Sequence, residues 1–305
     1  MTALDVPPPA TRVEAPAPVS RRSPARLAIR RFLRNRLAVA GAVVLLLIVL
    51  LALFAPIVTS YDPNSVDLYA FRQAPSASHL LGTDSSGRDV FTRLLHAGRV
   101  SLTVGLVAAL LAVVLGLVFG ALAGLLGSWV DTAVMRVTDI VLSFPSIVVV
   151  VVLAGILGPS VPMLIVVLAL TNWPTSCRMV RGLVLSLREQ EFIHAARAAG
   201  ARTGWILVRH LVPAVVSQLS VVATLLVATS VLSEAALSFL GLGVQAPQAS
   251  WGSMLNDAQN LTLIQTMPWL WIPPGIAIAL TVLAVNFVGD GLRDAVDPRA
   301  GAEVR

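Results

Sequence analysis

Between Ile140 and Cys177 no residue carries a charge. A bilayer crossing needs about 20 apolar residues, so this run is too long for one helix. Gly158-Pro159-Ser160-Val161-Pro162 divides it, because Gly and Pro together favour a turn. The run reads as a hairpin of two spans, and it commits the chain to the bilayer as its solvent. Composition agrees. The chain is 56% hydrophobic and 12% charged, with a mean hydropathy of +0.84, more apolar surface than a soluble domain can hide.

Further apolar runs complete an all-α, polytopic membrane protein with six transmembrane helices. They cover about 37–58, 101–126, 134–157, 163–177, 213–240 and 269–288. Trp269 and Trp271 sit at the outer edge of the last, as an aromatic belt would have them. The formal charge is +6, and all 22 basic residues are arginines. They gather before the first span (Arg12 to Arg36), between the fourth and fifth (Arg178 to Arg209) and after the sixth (Arg293, Arg299, Arg305), while residues 241–268 have none. That distribution places both termini in the cytoplasm and excludes a nucleic-acid role. The exception is 59–99, which must lie outside yet holds Arg72, Arg88, Arg93 and Arg99. Its glycines, Gly82, Gly87 and Gly98, suggest turns, and Val90 to Leu95 suggests a short surface helix. The segment would shape a gate or a docking surface, or simply cap the helix ends.

Residues 1–25, rich in Pro, Ala and Ser, read as a disordered cytoplasmic tail, and 300–305 as a second tail. Arg26 to Arg36 reads as a positive anchor or an amphipathic helix on the inner leaflet. The first apolar run has no cleavage pattern and is expected to stay as an anchor. Cys177, the single cysteine, reads as a packing residue at a helix end. The four histidines lack ligand spacing, and no phosphate-binding glycine loop or zinc motif occurs. No catalytic, cofactor or metal residue is therefore expected. An intramembrane hydrolase would need a Ser/His or paired-Asp constellation at membrane depth, and none appears.

The most informative stretch is a polar island, Glu191 to Pro213. Its first half is alanine-rich and favours helix, Gly200 ends that helix, and Pro213 can sit in the first turn of the next span. A short helix–Gly–helix on an aqueous face presents something to a partner. Within the spans, Glu234 either faces a path or hydrogen-bonds between helices. Arg136 and Asp139, three apart, can pair on one helix face. Pro145 should kink the third helix.

These residues resemble a known family. Ala195, Ala196, Gly200 and Pro213 fall at the spacing of the EAA loop in permease subunits of bacterial ABC importers. His194 stands where that family has Glu, and His210 and Val212 replace Ile and Leu. Leu81-Gly82-Thr83-Asp84 with Gly87-Arg88-Asp89 resembles a segment of the dipeptide/oligopeptide permease C-type subunit. So do Leu237 to Gly243 with Trp251 to Leu255, and Gly289 to Arg299. The resemblance implies the ABC type I importer permease fold, with residues 26–99 carrying the first helix and an outer segment, and 100–299 a five-helix core. It implies a multi-pass protein of the bacterial inner membrane that imports dipeptides or oligopeptides; nickel chelates, glutathione or haem are other cargoes of such permeases. It implies as partners a second homologous permease, one or two cytoplasmic ABC ATPases that use the ATP, and an extracytoplasmic substrate-binding protein. Glu191, His194, Ala195, Ala196, Arg197, Gly200, Arg202 and Pro213 would form the helix that docks on an ATPase, and Glu234 and Pro145 would line a path or gate. A stand-alone secondary transporter, which usually has more helices and intramembrane charges, is the competing class.

Overall fold

The computed structural model describes residues 24–296; their regular structure is helical, apart from one isolated bridge between Thr83 and Asp89. Helices α1 (Pro24–Arg34) and α2 (Arg36–Leu53) meet at Asn35. The Asn35 side-chain oxygen accepts from the Ala38 amide at 3.2 Å, which satisfies an orphan donor of the first turn of α2. So Arg26 to Arg36 is mostly a helix of its own, with Ile29 and Leu33 exposed along it. The two tails lie outside the described residues, except that Pro24 and Ala25 open α1.

A single turn, α3 (Ala55–Val58), leads into residues 59–89, which cross the end of the bundle with one short 3-10 turn at Leu68–Ala70. Helix α4 (Val90–Leu126) then runs for 37 residues. The expected surface helix over Val90 to Leu95 is thus the first part of the second span. Asp89 caps it by accepting from the Thr92 amide at 2.7 Å. Gly98 makes no turn; a Cβ there would come 3.0 Å from the Trp251 ring, so it is a contact glycine inside the helix.

The expected third span is broken rather than kinked. Helices α5 (Ser128–Ser143) and α6 (Ser146–Leu157) meet at 85°. Pro145 has no amide to donate, and it pushes Phe144 to an extended conformation (φ −98°, ψ 135°), so the ladder stops. After the turn at Gly158, α7 (Val161–Arg188) starts from a Ser160 cap and continues well past Cys177. Cys177 is therefore buried mid-helix, not at a helix end.

Two short helices follow, α8 (Glu191–Ala198) and α9 (Thr203–Ile206), then one π turn at Leu207–Leu211 and α10 (Val212–Phe239). The chain closes with α11 (Trp251–Asp257), α12 (Leu261–Thr266), a 3-10 turn at Pro268–Leu270 and α13 (Ile272–Val296). Among the described residues, five stretches are long and apolar enough to cross a membrane, and the bent α5–α6 pair makes six if it crosses as one.

Helices α4 and α7 form the centre. Gly116, Gly120 and Gly124 recur every four residues, so they share one face of α4. A Cβ at Gly116 would come 2.9 Å from the Cys177 amide nitrogen, and one at Gly124 2.8 Å from the Val184 side chain. Only glycine lets the two backbones approach this closely. Near the same region α5 is tied to α7 by charge. Asp131 takes both the Nε and the Nη2 of Arg181, the second at 2.6 Å, and Asp139 takes Arg178 at 2.6 Å. This corrects the expected Arg136–Asp139 pair: Asp139 faces α7, while Arg136 is exposed and has no ion pair among the described residues. Helix α13 returns along α2 and α10. Its Gly291 lies against Phe32 and Ala38, and the Asn35 amide donates to Asp294 at 3.2 Å. The described part of the C-terminal motif is thus a close-approach surface, Gly291 for α1 and α2 and Gly289 for Thr224 of α10, while 297–299 lie outside the described residues. Two ends result. One holds α1, residues 189–211 and the end of α13, and is rich in arginine. The other is capped by 59–89 and 240–271.

Candidate functional site

The polar island folds as a helix, a turn and a helix. Helix α8 ends in a Schellman motif: the Gly200 amide donates to the Arg197 carbonyl at 2.9 Å, and the Ala201 amide to the Ala196 carbonyl at 3.0 Å. Gly200 has φ +83°, which glycine adopts at no steric cost. Nothing lies within 4 Å of where its Cβ would be, so the constraint is conformational. Pro213 is the second residue of α10, but the helix does not begin there. It runs on from Thr203 through the π turn, whose extra residue precedes the proline that cannot donate.

Three apolar residues tie this module to the bundle. Ile193, Ile206 and Leu211 are buried with Ala121, Val180, Val184, Val215 and Leu219. The expected site omitted them, although they are the apolar members of a polar stretch. Glu191, His194, Ala195, Arg197 and Arg202 are exposed on the outer side, and Ala196 is half-buried. Phe192, Trp205 and His210 cluster, with ring centroids 5.9 Å (Phe192–His210) and 5.1 Å (Trp205–His210) apart. They and Ala196, Ala199 and Arg202 border an open cleft of about 590 Å³. The arginines here divide sharply. Arg178, Arg181 and Arg188 have carboxylate partners in Asp139, Asp131 and Glu189. Arg197, Arg202 and Arg209 are exposed and have no ion pair among the described residues.

Glu234 lies far from this module, near the capped end. It is fully buried, accepts from the Ser238 hydroxyl at 2.7 Å, and has the Ser101 and Ser250 hydroxyls beside it. Ser101 in turn accepts from the Trp251 amide at 3.2 Å, and Ser238 from the Val244 amide at 3.1 Å. Its other carboxylate oxygen is buried with no hydrogen-bond partner among the described residues, so the one bond it makes is within α10, and neither expected role is decided by this geometry.

Pro145 is placed differently. The helix break it makes adjoins a cleft of about 200 Å³ between α6, α7 and α10, lined by Ser146, Thr171, Asn172 and Ser233 together with apolar residues such as Val150 and Leu168. These polar side chains were visible as the few hydrophilic residues of otherwise apolar runs.

At the capped end, Arg88 pairs with Asp84 at 2.7 Å and Arg93 with Asp257 at 3.4 Å, while Arg93 and Asp84 lie 3.8 Å apart. Arg93 is only 4% exposed. Partial desolvation holds the Asp257 carboxyl above its ordinary range, against the pull of Arg93 and Arg88, although its side chain is 47% exposed. His79 meets Asp89 at 3.0 Å, and the Trp269 indole donates to the Thr83 carbonyl at 3.3 Å. Of the four arginines of 59–99, Arg88 and Arg93 are thus absorbed into the fold, while Arg72 and Arg99 are exposed and have no ion pair among the described residues. Among the described residues no three His, Cys, Asp or Glu side chains gather closely enough to hold a metal ion.

A family model for the binding-protein-dependent transport system inner membrane component matches residues 116–301, and one for the N-terminal TM domain of oligopeptide transport permease C matches 23–75. The chain is 42% identical to the dipeptide transport system permease protein of Alkalihalophilus pseudofirmus, over 91% of this chain and 90% of that one. It is 44% identical to the oligopeptide transport system permease protein of Escherichia coli, over 88% and 89%. It is 42% identical to the glutathione transport system permease protein of Shigella flexneri, over the same shares, 88% and 89%. The inward-facing MetNI methionine ABC transporter has a similar fold, with a TM-score of 0.54 at 23% identity, covering 67% of this chain and 96% of that one.

Proposed function

The chain belongs to the family of binding-protein-dependent transport inner membrane components, and on that footing we propose how it works as a membrane-spanning permease subunit of a peptide ABC importer. The arginine-rich end, with both termini, faces the cytoplasm, and the capped end faces outward. Tyr69 is 97% exposed at the capped end and the native cysteine is buried, so the orientation is open to labelling. A membrane-impermeant maleimide should reach Tyr69→Cys in intact cells and Arg202→Cys only after permeabilisation; the reverse pattern would invert the topology.

The α8–Gly200–α9 module is the helix that a cytoplasmic ATPase grips, a case of helix-in-groove recognition. The observation that carries this is the combination of an apolar anchor and a free charged face. Ile193 fixes α8 to α7, so a push on the module moves the bundle, while Arg197, Arg202 and Arg209 are left for acidic groups elsewhere. A second homologous permease would form the other wall of the path, and a binding protein would deliver peptide at the capped end. The chain itself binds no cofactor and hydrolyses no ATP. The purified chain should show no ATPase activity; hydrolysis lost on mutating a site within this chain would refute that.

The decisive test is Gly200→Val in the full importer. Membrane insertion and assembly should persist while peptide uptake per ATP collapses. Normal uptake by that variant would sink the assignment. The glutathione permease relative supports one second reading, a different cargo. Competition of labelled dipeptide uptake by glutathione separates the two.

A further inference from the structure

We infer that the cleft between α6, α7 and α10 is a contact site for the backbone of the passing peptide, with Asn172 and Ser233 as its polar groups. The inference rests on the peptide-importer reading and adds to it the place and the chemistry of contact.

Depth is the first argument. Asn172 lies 172 − 161 = 11 residues into α7, about 16 Å at 1.5 Å per residue, roughly half of a ~30 Å hydrocarbon core. A primary amide left in hydrocarbon without a partner is costly. Yet among the described residues Asn172, Ser233 and Ser146 make no side-chain hydrogen bond, and Asn172 and Ser233 are half-buried. The hydroxyl of Thr171, by contrast, is satisfied locally by the Val167 carbonyl at 3.0 Å.

The backbone is the second argument. The 85° break between α5 and α6 interrupts the helical ladder at Phe144 and Pro145, next to this same cleft. Non-helical backbone at membrane depth persists only where protein buries it or where it lines a polar cavity. Phe144 and Pro145 are not buried by this chain, and the cleft begins at the next residue, Ser146. Broken helices and unpartnered polar groups therefore converge on one cavity, independently of each other.

The chemistry selects the ligand class. The cleft has no charged residue; its polar groups are an amide and hydroxyls, each able both to donate and to accept. These match the alternating N–H and C=O groups that every peptide carries, whatever its side chains. Ile147, Val150, Leu168, Ala236 and Leu237 form apolar walls that favour no particular side-chain charge. A site of this kind would hold a peptide transiently and without sequence preference.

The test uses the full importer, with its second permease, ATPases and binding protein, in proteoliposomes. Trialanine and a backbone N-methylated trialanine are the probes. In Asn172→Leu and Ser233→Ala, trialanine moved per ATP should fall about three- to tenfold, the effect of losing one hydrogen bond. ATP hydrolysis stimulated by loaded binding protein should be retained. Wild type should disfavour the N-methylated peptide, and Asn172→Leu should narrow that difference. Unchanged transport per ATP in both variants overturns the inference. Loss of the second permease on purifying the variants also overturns it, since the cleft would then be a subunit contact. A wild-type importer that moves no trialanine counts against the peptide reading and this inference together.

Discussion

Two groups of arginines, one at each end of the bundle, are in opposite situations. At the capped end, Arg88 and Arg93 lie between Asp84 and Asp257, and Arg93 is almost wholly buried. At the other end, Arg197, Arg202 and Arg209 are exposed with no carboxylate among the described residues against them. Counting arginines would give both ends the same weight. What separates them is whether the partner lies within the chain. Charges answered internally hold the fold, and breaking them leaves a buried ion uncompensated. Charges left at the surface contribute little to stability and are available to another protein.

That contrast can be broken in stages. Arg93→Leu should have the largest effect on stability, about 3 kcal/mol, because Asp84 and Asp257 are then left to share Arg88 alone. Thermal unfolding in detergent would measure it, and a change within experimental scatter would mean that the capped end is held by packing alone. Ile193→Ala removes the apolar anchor of α8 and should cost about 2 kcal/mol. Its signature is a loosened α8 in hydrogen exchange while the capped end stays protected; equal loosening at both ends would deny the local anchor. Gly200→Val puts a branched side chain at φ +83° and should cost about 1–2 kcal/mol, with uncoupling as the larger phenotype. The smallest effect on stability belongs to a triple change of Arg197, Arg202 and Arg209 to Gln, within about 0.5 kcal/mol. The same protein should lose most of its ATPase on mild-detergent pull-down. Retention of the ATPase would show that these charges are an ordinary solvated face.

Much of the architecture was legible because it depends on neighbours along the chain. The Gly158–Pro162 hairpin, the end of α8 at Gly200 and most span positions follow from local turn chemistry and apolar run length. The errors arise where an outcome depends on neighbours in space. Arg136 and Asp139 have ideal spacing for a pair, but α7 runs alongside and offers Arg178 to Asp139. Pro145 marked a disturbance, yet nothing in sequence says whether a proline bends a helix or ends it; the 85° turn is set by how α5 and α6 each lie on α7. Glu234 was visible as a membrane carboxyl, but that α4 and the capping loop bring Ser101 and Ser250 beside it was not. The Asn172 cleft needed three helices to be assembled before its polar residues could be seen together.

The glycine face joining α4 to α7 has a mechanical consequence. Two backbones pressed together without side chains between them have little room to slide, so α4 and the part of α7 after Pro174 should move together. Helix α7 has 28 residues, about 42 Å at 1.5 Å per residue, so a tilt of roughly 5° at its foot would carry its far end about 4 Å. Spin labels on facing turns of α4 and α7 should keep their separation through a transport cycle, while labels on α5 and α6 change theirs. On the proposed reading, a load applied at Ile193 would pass into this pair directly, and the bend at Pro145 would be the joint left to yield.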